Sequence, residues 1–198
     1  MKKQVLATAV FFFALHPHLH AQQQKPSRPA FHSIEQGALI NGNQAVSGAL
    51  QTVNGIGYGN WFAGIGAGID FYRYRSVPLF LSLRRSLDMK NGNKLFAYTD
   101  GGYNLPWVTK DEPVFSIWSW PGRTDYKYKG GLYMDAGLGY AVQLKGGNAF
   151  LLSTGYSHKY FSEKRITTTI TGENRETTDI QQFTYSMHRL MIKLGWQF

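Results

Sequence analysis

Four groupings in this 198-residue chain have the residue types of chemical sites. His16, His18 and His20 alternate as metal ligands do. Ser157 and His158 are a nucleophile beside a base. Gly64, Gly66 and Gly68 form a glycine-rich run of the kind that cradles a phosphate. Arg73 and Arg75 around Tyr74, and Lys127 and Lys129 around Tyr128, are basic-aromatic pairs suited to anions. Each has to be weighed against the element that carries it.

The three histidines follow Lys2, Lys3 and an apolar run from Val5 to Leu15, and precede the small residue Ala21. That order is a secretory signal peptide over 1–21, which removes the histidines from the mature chain. The apolar run is too short for a spanning helix, which needs about 20 residues. The glycine run has no third glycine at the spacing of a dinucleotide loop and lies within a strand pattern, so its glycines make room for bulky neighbours. Ser157 and His158 are adjacent on a strand and point to opposite faces, a poor geometry for a nucleophile and its base. No catalytic residue, cofactor or metal is expected.

Composition narrows the class. Cysteine is absent, charged residues are 17%, aromatics are 15% and glycines number 22. Ordinary soluble domains carry roughly 25% charge. An exported chain with little charge and no long apolar segment suits a transmembrane barrel, in which only alternate residues face lipid.

Period-two alternation supports this. Leu132, Met134, Ala136, Leu138, Tyr140 and Val142 alternate with small or polar residues, and period-two alternation also runs through Ile65 to Phe71, Val77 to Leu83 and Phe150 to Tyr156. The last nine residues, LMIKLGWQF, place Leu190, Ile192, Leu194, Trp196 and Phe198 on one face. Weaker alternation over 31–40, 48–57 and 94–103 does not assign faces. The reading is an all-β, eight-stranded antiparallel up-and-down transmembrane barrel. Its strands are 31–40, 48–57, 62–71, 77–86, 94–103, 131–142, 149–159 and 185–198. A segment at 22–30 precedes it, and the barrel domain covers 31–198. With both termini in the periplasm, every second connection falls outside the cell, and both long ones, 104–130 and 160–184, are among them, the pattern of outer-membrane barrels. The Thr-rich stretch 166–179 reads either as a flexible loop or as a β-extension of the last hairpin.

With the alternating strand that ends on Phe198, and with GIGAGIDFYRYRSVPLFLSLRRSL over 64–87, the chain resembles the small bacterial outer-membrane β-barrel proteins of the Bacteroidota type. That resemblance implies Gram-negative outer-membrane residence. It also implies that Leu190, Ile192, Leu194, Trp196 and Phe198 are a signal read by the barrel-assembly machinery.

An eight-stranded barrel is just wide enough for side chains to fill. The inward charges are expected to be Glu35, Asp70, Arg84, Asp100, Asp135, Arg189 and Lys193. Asp70, Asp100, Asp135 and Arg189 fall in the outer half, and Glu35, Arg84 and Lys193 fall lower, with Glu35 beside Lys193 at closure. Three outer carboxylates to one arginine leave a protonated Asp, Lys159 or a bound cation to complete the cluster. The expected role is structural or surface interaction. Lipopolysaccharide would be touched by Arg73, Arg75, Lys127 and Lys129, and nucleic acid is not an expected partner. The rivals are a lipid A-modifying enzyme and a soluble periplasmic barrel for a small apolar ligand.

Overall fold

The structure is a computed structural model that describes residues 28–42, 46–71, 74–107, 122–171 and 175–198. The segment read as a signal peptide, Arg73, and the middle of the 104–130 connection lie outside the described residues.

The alternating segments form nine strands: β1 (Ala30–Asn41), β2 (Val46–Tyr58), β3 (Trp61–Phe71), β4 (Arg75–Asp88), β5 (Lys94–Pro106), β6 (Gly122–Lys129), β7 (Gly131–Gln143), β8 (Ala149–Thr171) and β9 (Arg175–Gln197). All pairings are antiparallel. Eight strands close a ring in the order β8, β7, β5, β4, β3, β2, β1, β9, with β9 returning to β8. Closure pairs Ile34 with Gln197 and Asn41 with Leu190. The Phe198 amide donates to Ser33 O at 2.9 Å, and His32 Nδ1 lies 3.1 Å from Phe198 O. Both ends of the ring's chain therefore meet at one end of the barrel, here the terminal end. There the connections are tight; Gly92, for example, has φ +82°, a conformation that a side chain would strain.

The barrel is inside out relative to a soluble one. Leu50, Ile65, Leu81 and Leu138 are 60–69% exposed on its outer wall. Leu190, Ile192, Leu194, Trp196 and Phe198 stand on the same wall. Soluble monomers rarely expose apolar belts of this extent. Inside, aromatic rings from β4 and β5 lie against glycines opposite. A Cβ on Gly66 would enter the Phe80 ring, one on Gly139 would enter Phe96, and one on Gly155 would meet the Tyr98 hydroxyl. The glycine run of β3 is thus a groove for rings.

Two connections differ from their expected loop form. The 160–184 segment is not a loop. Strands β8 and β9 stay paired from Ala149↔Gln197 to Thr171↔Arg175. The β-branched threonines of the stretch favour this extension over a loop. The 104–130 connection ends in β6, which pairs with the extended part of β8 from Gly122↔Thr169 to Lys129↔Ser162. Strands β6 and β7 act as one long strand interrupted at Gly130. Lys129 pairs with Ser162 but Tyr133 pairs with Lys159, so three residues face two and a bulge results. Its glycines are required, because a Cβ on Gly130 would collide with Asn104 O and one on Gly131 would sit 2.8 Å from Tyr160 O. The bulge shifts the facing by one residue. Tyr126 and Tyr128 continue the lumen face of Tyr133 and Asp135, while Lys127 and Lys129 are exposed.

Replacing Gly66 by Val is expected to destabilise the barrel by about 1–3 kcal/mol through overpacking. Adding Phe80→Ala should recover much of the loss. The fraction of chain that migrates as a compact, heat-modifiable band in gels measures both.

Candidate functional site

Facing alternates strictly along the ring strands, so the polar residues between apolar ones converge on the axis. Of the charges expected there, Asp70, Arg84, Asp100, Asp135 and Lys193 are buried in the lumen, and Arg189 points inward, half-buried, at the far rim against Gly42. Glu35 does not join them. It lies on the outer wall, where its carboxylate accepts from Thr52 Oγ1 at 2.7 Å and Ser33 Oγ at 3.3 Å. The buried face of β1 is Ile34, Gln36, Ala38 and Ile40. Nor is Glu35 beside Lys193: it pairs with Trp196, and Lys193 pairs with Ala38.

The lumen fills in layers. Toward the terminal end, Ile34, Val53, Phe62, Phe80, Phe96 and Leu151 form an apolar core. Arg84 lies over it, its guanidinium carbon 5.7 Å from the Phe96 ring centre and 5.8 Å from that of Phe62. Cation–π attraction of this kind partly replaces the water that the charge has lost.

At mid-height Lys193 Nζ is 2.5 Å from Asp135 Oδ2 and 3.5 Å from Asp100 Oδ2. It also lies 4.5 Å from the Tyr98 ring centre. The Tyr98 hydroxyl donates to Asp135 Oδ1 at 3.1 Å, and Tyr133 donates to Asp135 Oδ2 at 3.4 Å. A chain of amides extends this layer across the barrel. Gln51 Nε2 donates to the Tyr133 hydroxyl at 3.0 Å, Gln36 Nε2 to Gln51 Oε1 at 2.7 Å, and Arg84 to Gln36 Oε1 at 3.4 Å. Above it Lys159 pairs with Asp70 and reaches Ser76 and Asn104, while Ser76 donates to Asp70 at 2.5 Å. Lys159 is therefore the cation that completes Asp70, while Asp100 and Asp135, expected beside Arg189, are paired by Lys193, which was expected lower in the barrel.

A lid closes the stack. Tyr74, Tyr128 and Phe161 meet with ring centres 5.2–5.9 Å apart. Over them Glu163, 1% exposed, accepts from Tyr74 at 2.9 Å and pairs with Arg165 at 2.6 Å. The Arg165 guanidinium stands 4.8 Å from the Phe183 ring centre. Its pKa is raised above the ordinary value, first by the Glu163 hydrogen bond, so the guanidinium stays charged. The paired aromatics and Glu163 depend on the β6 extension and its bulge. The visible signal for that arrangement is the Gly130-Gly131 doublet between two alternating runs.

The remaining sequence candidates scatter. Ser157 is fully buried in the lumen and His158 is on the outer wall, so they do not form a nucleophile–base pair. Arg75 is exposed at the far rim over Trp107, and Lys127 and Lys129 project from β6 on the outward side. Among the described residues there is no helix long and apolar enough to cross a membrane, and no group of three or more His, Cys, Asp or Glu side chains that would hold a metal.

No family model matches the chain, and no curated protein matches it. Among solved structures it is similar to outer membrane protein AlkL, determined by solid-state NMR in DMPC lipid bilayers. The two are 12% identical over 93% of this chain and 96% of that one, with a TM-score of 0.37.

Removing Lys193 would leave Asp100 and Asp135 buried and close together. Lys193→Ala is expected to cost about 3–5 kcal/mol, as for a broken buried ion pair. Lys193→Ala combined with Asp135→Asn should recover part of it, because one uncompensated charge is gone. Urea unfolding of the barrel in lipid vesicles, followed by tryptophan fluorescence, measures the difference.

Proposed function

We propose that the chain is an outer-membrane β-barrel with a structural or surface-interaction role and a lumen closed to ions. The observation that carries this reading is the combination of an apolar outer wall with an interior filled by paired charges. In lipid, a sheet has to close so that no edge is left unsatisfied, and its outer face has to be apolar. Inside, Lys159, Lys193, Asp70, Asp100 and Asp135 are each at most 2% exposed. A conducting pore needs a continuous hydrated path, and the ion-pair layers and aromatic lid stand across it.

In this reading the terminal end lies in the periplasm and the far end outside. The β6–β8–β9 sheet then stands above the outer surface. From Tyr160 to Thr171 it extends about 36 Å along the strand at roughly 3.3 Å per residue. It offers a partner an extended β-surface, with Lys127 and Lys129 on its outward side and Arg75 at the rim near lipopolysaccharide phosphates. The outward stripe Leu190, Ile192, Leu194, Trp196 and Phe198 would serve the barrel-assembly machinery. Opposite facing of Ser157 and His158 argues against the lipid-modifying alternative. The apolar outer wall argues against a soluble ligand-binding barrel.

The purified barrel in planar bilayers is expected to show no large, steady conductance. Large, stable, ion-selective channels would overturn the closed-lumen reading. In intact cells an epitope inserted at Asp179 should be accessible to antibody and one at Asn91 should not; the reverse pattern would invert the orientation.

A further inference from the structure

The chain has six histidines, three of them in the N-terminal segment at 16, 18 and 20. Of the other three, two stand face to face. His158 on β8 and His188 on β9 are register partners on the outer wall, with ring centres 4.5 Å apart. Their Nδ1 atoms point at each other across 3.3 Å. The Tyr156 hydroxyl converges on the same His188 Nδ1.

This convergence oversubscribes one atom. A ring nitrogen carries either one N–H or one lone pair in its plane, so it serves one partner. His188 Nε2 lies 3.1 Å from Ser186 Oγ. With Nε2–H donating there, Nδ1 is left as the lone-pair side, and two neighbours contend for that lone pair. One cation between the rings resolves the conflict, because each Nδ1 then donates its lone pair to it. The spacing suits such an ion. Two metal–nitrogen bonds of about 2.0–2.1 Å at a tetrahedral angle hold the nitrogens about 3.3 Å apart. We propose that His158 Nδ1 and His188 Nδ1 form a binding site for a late first-row transition-metal ion of the copper(II) or zinc(II) class.

The surroundings fit. Imidazole suits these ions, and affinity for a given site peaks at copper(II). Ser186 orients a ligand ring as outer-shell partners of metal-bound histidines do. Met134, the register partner of His158 on β7, brings a thioether to the same row of the wall. The nearest cationic side chains, Lys159 and Arg189, point to the other face of the sheet. His188 is exposed on that wall, and β1 ends at Asn41 opposite Leu190, two residues short of it. The pair thus sits at the rim, where water delivers the ion and the outward side of the coordination sphere is free.

The test uses the mature barrel folded in detergent, without a polyhistidine tag, titrated with copper(II). The expected result is one copper per chain, with an electron paramagnetic resonance spectrum showing coupling to two nitrogens. His158→Gln and His188→Gln should each lose that signal, Ser186→Ala should weaken binding about tenfold, and His32→Gln should change nothing. These side chains face outward at the rim, so the variants are expected to keep heat-modifiable migration. A measurement on the unmodified protein needs no variant: copper(II) should protect His158 and His188, but not His32, from diethyl pyrocarbonate. The site is refuted if His158→Gln/His188→Gln binds copper as the unmodified chain does. Absence of nitrogen-coupled copper in the unmodified chain, or equal modification of all three histidines with and without copper, refutes it as well.

Discussion

On the proposed membrane reading, the molecule's other features follow from sheet closure in a solvent that cannot hydrogen-bond. A strand edge left open in hydrocarbon costs several kcal/mol for each unsatisfied backbone group. The pairing of β1 with β9 removes the last edge. It fixes the register along the whole seam, and with it which residue of each strand looks inward. The hydrogen bond from the Phe198 amide to Ser33 O holds the terminal end of that seam. Once facing is fixed, Leu50, Ile65, Leu81 and Leu138 stand on the outer wall, where lipid would favour them, and the lumen receives what is left.

What is left is too polar for so narrow a space unless it pairs. The molecule's solution is stratified. Aromatic rings of β4 and β5 fill the terminal end by lying on glycines opposite, and Arg84 spends its charge on their faces. Lys193 neutralises two carboxylates from neighbouring strands β5 and β7, and Lys159 does the same for Asp70 across the barrel. A buried pair of this kind is weak evidence for stability, since the ions lose much hydration. Its stronger consequence, in the closed-lumen reading proposed above, is occlusion by the pairs and by the tyrosine and glutamine hydrogen bonds that flank them. The far-end lid depends on a different device. A one-residue bulge at Gly130 resets the facing of β6, so that Tyr128 covers the lumen and the adjacent lysines face away.

Much of this was legible in the residues, for identifiable reasons. Strands with one clean apolar face, such as 132–142 and 190–198, announce their facing locally, and Asp135, Asp70 and Arg84 follow from it. Strand β1 has no such face. Phe31, Glu35 and Leu39 alternate with His32, Gln36 and Ile40, and both sets mix polar with apolar. Only its pairing with β9 decides between them, and that is why Glu35 was expected inside and lies outside. The ion pairs join residues 89 and 93 apart in sequence for Lys159–Asp70 and Lys193–Asp100. Periodicity gives the direction of a side chain but not its neighbour across a barrel. The tall β8–β9 hairpin has the opposite history. Its threonines favour strand, yet the segment is polar on both faces, and without an apolar face a loop reads equally well.

The central claim is that the outer wall faces hydrocarbon. Nitroxide labels at Leu81 and Leu138, on barrels reconstituted in lipid vesicles, test it directly through collisions with oxygen and with a water-soluble nickel chelate. The account predicts strong oxygen broadening and little nickel effect at both sites, with the opposite at Asn91 in its turn. Nickel accessibility at Leu81 and Leu138 equal to that at Asn91 would place the wall in water and contradict the membrane-spanning barrel.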